Sequence, residues 1–331
     1  MAYLKAPFLI FLSAVIFIGS GVISHAHVKW FVDTHSASVE GFQPYGLFDT
    51  AVVVWALIAV VAIGVSVVLD KILPVIKIAD TKTRHDFMEI LRIFTGMSLL
   101  LTAYEGALLA PHMVAHGAMG TFLVFFQALI GILLIGNKFI YTVALMLLAL
   151  LVGVVLQFGI VSVLEYFIYF GIALFLLLNC LQIETLVERY KPYSVPILRI
   201  SAGISLATLA VTEKLTGALF GQAFLAEYQW NFMTMLGVEV FTDRLFVLSA
   251  GVCELILGII LILGTTTRLT MLAISLLMFT SNIVFIIQGN NEAALVEFVG
   301  HLPIIGTALV LMLLGCGQRL RLGDLLVGKS T

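Results

Sequence analysis

Glu297 and His301 stand four residues apart in an apolar run. A helix through them sets a carboxylate and an imidazole on one face, a pairing suited to taking up and releasing protons. Glu165 and Tyr169 repeat that spacing, and Glu213 adds a further carboxylate beside an apolar stretch. These residues are the candidate proton-handling set. Glu105 and Glu254 also lie in or near apolar runs and are candidate contacts for a bound cofactor. His112 and His116 share the four-residue spacing, which on a helical turn would chelate Zn or Cu, although Pro111 argues against a helix there. His25-Ala-His27 is a second close pair, and the two pairs together are the candidate metal ligands. The plainer reading of each histidine is an interfacial side chain bonded to water or a carbonyl. For Glu254 it is a buried, hydrogen-bonded carboxylate, partnered by Lys214 or a backbone group, that holds helices together.

The elements that must position these residues are membrane helices. The chain is 61% hydrophobic and 11% charged, whereas a soluble domain is about 25% charged. Apolar runs of spanning length recur at 7–25, 48–70, 91–111, 121–136, 138–157, 163–181, 197–219, 245–264, 268–287 and 297–315. They are continuous rather than alternating, which argues against a strand barrel. With ten helices and an inner N-terminus, fourteen Lys and Arg fall on one side, and only Lys29, Lys214 and Arg244 on the other. That asymmetry predicts a multi-pass protein of the inner (cytoplasmic) membrane, embedded in the lipid bilayer, with a cytoplasmic C-terminus. Six of the seven histidines then lie on the outer side, with His85 the exception. A charge at a helix centre costs ~2.5–3.5 kcal/mol, so the five glutamates should face the bundle interior, sit near the interface or be protonated.

Other segments are less telling. The first apolar run reads as an uncleaved helix; cleavage after Ala26 would instead leave His27 as an N-terminal chelate suited to copper. Cys180, Cys253 and Cys316 form no CxxC pair. Residues 220–243 carry Phe224, Tyr228, Trp230, Phe232 and Met233, which suit either an interfacial anchor or a lid over an outer cavity. The chain contains no phosphate loop, no Ser-His-Asp pattern, no nucleic-acid motif and no flavin, haem or iron–sulfur pattern.

The sequence also repeats itself. LRIFTGMSL from Leu91 returns as LRISAGISL from Leu198, with six of nine positions identical. Gln127-Ala-Leu-Ile-Gly131 returns as Glu254-Leu-Ile-Leu-Gly258, and Val163-Leu-Glu165 as Leu295-Val-Glu297. The spacing predicts an all-α, polytopic protein with two four-helix bundles in parallel duplication plus an N-terminal helix pair. The units are 1–90, with an outer His-containing loop and a cytoplasmic link, then 91–190 and 191–331. Arg199, Gly203 and Lys214, then Glu254-x3-Gly258-x5-Gly264-x2-Thr267-Arg268, then the ending Gly315-Cys-Gly317 with Asp324, resemble the DoxX family of bacterial membrane proteins. The resemblance covers 198–324 well, covers 91–181 more loosely and leaves out 1–90. That family includes the membrane subunit of a thiosulfate:quinone oxidoreductase. The resemblance therefore implies a quinone-linked redox subunit that works with a periplasmic or membrane partner. Two further readings stay open: a Cu or Zn binding or transport protein, suggested by the histidines, and a scaffold subunit of a membrane complex.

Overall fold

The computed structural model describes Trp30, Phe31, Val39 and residues 41–73, 81–317 and 319–321. Its helices are α1 (Thr50–Ile72), α2 (Thr81–Tyr104), α3 (Gly117–Ile135), α4 (Ile140–Phe158), α5 (Ile160–Glu165), α6 (Ile168–Asn179), α7 (Glu184–Tyr190), α8 (Ser194–Leu209), α9 (Ala218–Tyr228), α10 (Phe232–Met235), α11 (Asp243–Leu263), α12 (Thr267–Ile287) and α13 (Asn291–Leu314). Among the described residues eight helical stretches are long and apolar enough to cross a membrane, with α7 and α8 counted as one, and α6 is a shorter apolar helix. The chain is an all-α, polytopic membrane protein. The first predicted span, its cleavage site after Ala26, and His25 and His27 lie outside the described residues, as do 74–80 of the cytoplasmic link and Asp324 of the tail.

Local chemistry sets the helix ends. The Thr242 hydroxyl accepts the Leu245 N–H at 3.4 Å to start α11, and the Asn290 side chain accepts the Ala293 N–H at 3.1 Å to start α13. Gly264 (φ +74°) ends α11 in the left-handed conformation that a residue with a Cβ resists. The run expected over 91–111 stops as a helix at Tyr104. Residues 105–116 turn back through Gly106 (φ +76°), and an isolated bridge joins Ala107 to Val114.

Apart from α1, the spanning helices close into one ring in the order α2, α3, α4, α6, α8, α11, α12, α13 and back to α2. The first helix of each run of four packs on the last helix of the other, α2 on α13 and α8 on α6. The two runs are thus interlocked rather than self-contained. α1 lies outside the ring, where Val52, Trp55 and Ala59 pack on Leu248, Val252 and Ile256 of α11.

Two contacts recur at matched positions of the two runs. Arg92 donates to the carbonyls of Leu134 and Ile135 at the end of α3, and Arg199 donates to those of Leu261 and Ile262 at the end of α11. Each guanidinium thereby satisfies carbonyls that a helix end leaves open. Gly96 crosses Gly131, and Gly203 crosses Gly258. A Cβ on Gly96 would fall 2.8 Å from the Gly131 oxygen, and one on Gly203 would fall 2.7 Å from the Gly258 oxygen. Both crossings therefore require glycine on both helices.

The interiors of the two runs differ. In the first, Gln127 is fully buried. Its Oε1 accepts the Leu109 N–H at 2.9 Å, and its Nε2 reaches Leu99 O, Thr102 Oγ1 and Ala107 O at 2.9–3.2 Å. The loop over 105–116 supplies two of these partners and buries Leu108, Leu109 and Met113, so the space is closed. Replacing Gln127 with Glu would turn a carboxylate oxygen toward acceptors that now receive N–H groups. We expect a loss of about 3 kcal/mol or more, measured as a lower unfolding midpoint in detergent. An unchanged midpoint would show that Gln127 does not hold this loop.

Candidate functional site

The second run has an open interior. A cavity of about 380 Å³ lies between α8, α11, α12 and α13. It exists partly because of a small residue. Leu123 in α3 fills against Gly153 of α4, where a Cβ would come within 2.5 Å of the leucine. The position matched to Leu123, at the spacing that relates Gln127 to Glu254, is Ala250, which lines the cavity. The loop after the first helix of this run is also longer and different in shape. Instead of dipping inward, it forms α9 and α10, and Phe224, Trp230, Phe232 and Met233 line the cavity. The rings of Phe224, Trp230 and Phe232 interlock at centroid distances of 5.6–6.0 Å, and Phe232 packs on Phe246 of α11 at 5.0 Å. This insert is therefore a cover on the cavity.

Two polar clusters stand in the cavity wall, and most of the remaining wall is apolar. In the first, Lys214 Nζ lies 2.9 Å from Glu254 Oε2 and 3.1 Å from Glu213 Oε2. Lys214 and Glu213 belong to the π-helical turn Ala210–Leu215 that ends α8, a distortion frequent at functional sites. One cation here serves two carboxylates, so a single proton neutralises the triad. Glu213 Oε1 is buried and has no hydrogen-bond partner among the described residues. Glu254 thus has the partner expected for it.

The second cluster joins α12 to α13. Ser281 Oγ donates to Glu297 Oε1, and the same oxygen lies 3.6 Å from His301 Nδ1. Asn290 starts α13, so Glu297 and His301 fall on one helix face in its first three turns, as their spacing predicts. His301 is 3% exposed. Its ring lies 5.5 Å from that of Trp30, whose Nε1 donates to the Tyr166 hydroxyl at 3.2 Å. The neighbouring Phe31 lines the cavity and packs on Phe224, Tyr228 and Phe285 at 5.3–5.7 Å. Tyr228 donates to the Phe31 carbonyl at 3.4 Å, and burial pushes its phenol up, so it stays a neutral donor. The segment before α1 therefore places Trp30 against His301 and Phe31 in the cavity wall. Trp30→Ala should uncover the imidazole and speed its modification by diethyl pyrocarbonate, read at His301 by mass spectrometry, by about tenfold. An unchanged rate would mean that Trp30 does not shield it.

The other expected site residues fall elsewhere. Glu165 is fully buried and lines a separate, adjoining space of about 10 Å³ with Tyr169 and Ser205, at the lower limit for one water. Its backbone carbonyl accepts the Ser205 hydroxyl. Glu105 is exposed in the turn after α2 and contacts no cavity. The chelating helical turn through His112 and His116 does not form, because Pro111 and the reversal at Gly106 keep the segment irregular. His112 packs 6.0 Å from the Tyr166 ring, whereas His116 is exposed at the start of α3. Among the described residues no three His, Cys, Asp or Glu side chains gather as a metal site would require.

Sequence reasoning alone did not single out Ser281, Ala250 or the Trp30–Phe31 pair. Ser281 sits in Thr280-Ser281-Asn282, a polar interruption of an apolar helix that was a usable signal. Ala250 was legible by setting α3 against α11. Compared with protein-family models, curated proteins and solved structures, the chain finds no match.

Proposed function

We propose that this protein is the membrane subunit of a quinone-linked redox system and that the cavity holds the quinone head group. The observation that carries this reading is the presence of two polar clusters, on different helices, in the wall of one largely apolar cavity. A quinone ring presents oxygen atoms at two opposite edges and apolar surface between them. Lys214 has one N–H beyond the two directed at Glu213 and Glu254, and the Ser281–Glu297–His301 cluster offers a second polar edge. The volume suits a ring-sized ligand.

Oxidation of a quinol releases two protons and two electrons. His301 with Glu297, and the Lys214 triad, are the proton acceptors in this reading. In this reading the electrons pass to a partner protein or to a site without a recognised cofactor pattern; reduction of the quinone runs the same balance backward. The matched arginine clamps and glycine crossings support reading 91–190 and 191–331 as two DoxX-like units. In that reading only the second keeps an open site. The charge asymmetry supports an inner-membrane location in this reading, with the C-terminus cytoplasmic and the cavity toward the outer side.

Cys253 lies in the cavity wall as a free thiol. In a variant with Cys180 and Cys316 changed to Ser, alkylation of Cys253 by a maleimide should slow when duroquinone is added. Duroquinone is fully ring-substituted and cannot itself add to the thiol. A rate that does not respond would count against a quinone site.

A further inference from the structure

We infer that the ligand of this cavity is a ring carrying a long apolar tail, and that the tail leaves through the gap between α11 and α12 into the bilayer. The inference rests on the quinone reading of the cavity and adds the direction of entry and the need for a tail. The α9–α10 side of the cavity is covered by the interlocked rings of Phe224, Trp230 and Phe232. The opening lies elsewhere. Leu277 lines the cavity and is 46% exposed on the outer face of the ring. It is the central residue of the 21-residue α12, so this exposure is at mid-membrane, where lipid rather than water is the surrounding medium.

Thr280, one turn on, is also exposed and lines the cavity. Its hydroxyl donates to the Leu276 carbonyl at 2.9 Å, so it spends its proton inside the helix and can border an apolar chain. α11 and α12 are the most loosely joined neighbours in the ring. In the first run the matching gap is shut, because Leu123 of α3 sits against Gly153 of α4. The second run has Ala250 at the leucine position. A tail-less, water-borne ligand has no use for an opening at this depth, whereas a prenylated ring dissolved in the bilayer needs one.

The test compares two quinones on the full chain in lipid nanodiscs, using protection of Cys253 from a maleimide in the C180S/C316S background. One is duroquinone, which has no tail; the other is a fully substituted benzoquinone with an isoprenoid tail. Both should protect the parent. Leu277→Trp and Thr280→Trp place an indole where the tail leaves. Each should weaken protection by the tailed quinone about tenfold more than it weakens protection by duroquinone. Leu276→Trp, at a lipid-facing position outside the cavity wall, controls for added bulk and should leave both unchanged. If the indoles weaken both quinones equally or neither, the portal is wrong although the site stands. If neither quinone protects the parent, the site itself fails and the portal with it.

Discussion

Lys214→Met should destabilise the protein by about 3–5 kcal/mol, the range seen when one partner of a buried ion pair is removed. Lys214 Nζ is the only cation within ion-pair distance of both Glu213 and Glu254 among the described residues. Glu213 is 1% exposed, so neither water nor salt can take the place of the ammonium. Methionine keeps the apolar stem of the side chain and removes the ammonium with its charge and its N–H donors. The loss should therefore be largely restored in the triple variant with Glu213→Gln and Glu254→Gln, since neutral amides need no counter-ion. Unfolding in detergent, followed by circular dichroism, reads both changes. A single variant as stable as the parent would falsify the triad as part of the folded structure.

Ala250→Leu should weaken ligand binding severely while the fold remains intact. The first run carries leucine at the matched position, seated on Gly153, whereas α12 has no glycine, so the leucine side chain at 250 would have to enter the cavity. In the second run the added carbons enter empty space rather than occupied core, and the unfolding midpoint should stay level or rise. The quinone ring loses that space. We expect its affinity to fall roughly a hundredfold, about 2.8 kcal/mol. A variant that keeps its affinity would show that the ligand sits elsewhere, and one that unfolds would show that the two runs are not equivalent at this position.

The spanning helices were legible because a membrane allows so few solutions. A continuous apolar run of spanning length has to satisfy its own backbone, and nine of the ten predicted runs are described as helical, although the helix expected over 91–111 spans Thr81–Tyr104 and the one over 163–181 is broken after Glu165. The pairing of Glu297 with His301 was legible for the same reason, since helical spacing alone puts them on one face. The loop over 105–116 was not. Its apolar residues Leu108 and Leu109 extend the hydropathy of α2, whereas the bonds from Gln127 that pull it inward are tertiary. The cavity was also hidden. It arises from a difference between two packed places, Leu123 on Gly153 in one run and Ala250 facing space in the other, and hydropathy does not register a missing side chain. Grouping Glu165 with Glu297 failed because the matched positions belong to different runs. The ring puts Glu165 behind Ser205, outside the main cavity.

The chain's three tryptophans offer the most direct test of a quinone in this cavity. Trp55 and Trp230 line it, and Trp30 packs on His301 at its edge. Quinones quench tryptophan emission on contact, so titrating a tailed quinone into the protein in nanodiscs should give saturable quenching in the parent. In Ala250→Leu only the weak, linear quenching of quinone dissolved in lipid should remain. Linear quenching in both proteins, or the same saturable curve in both, would contradict the account.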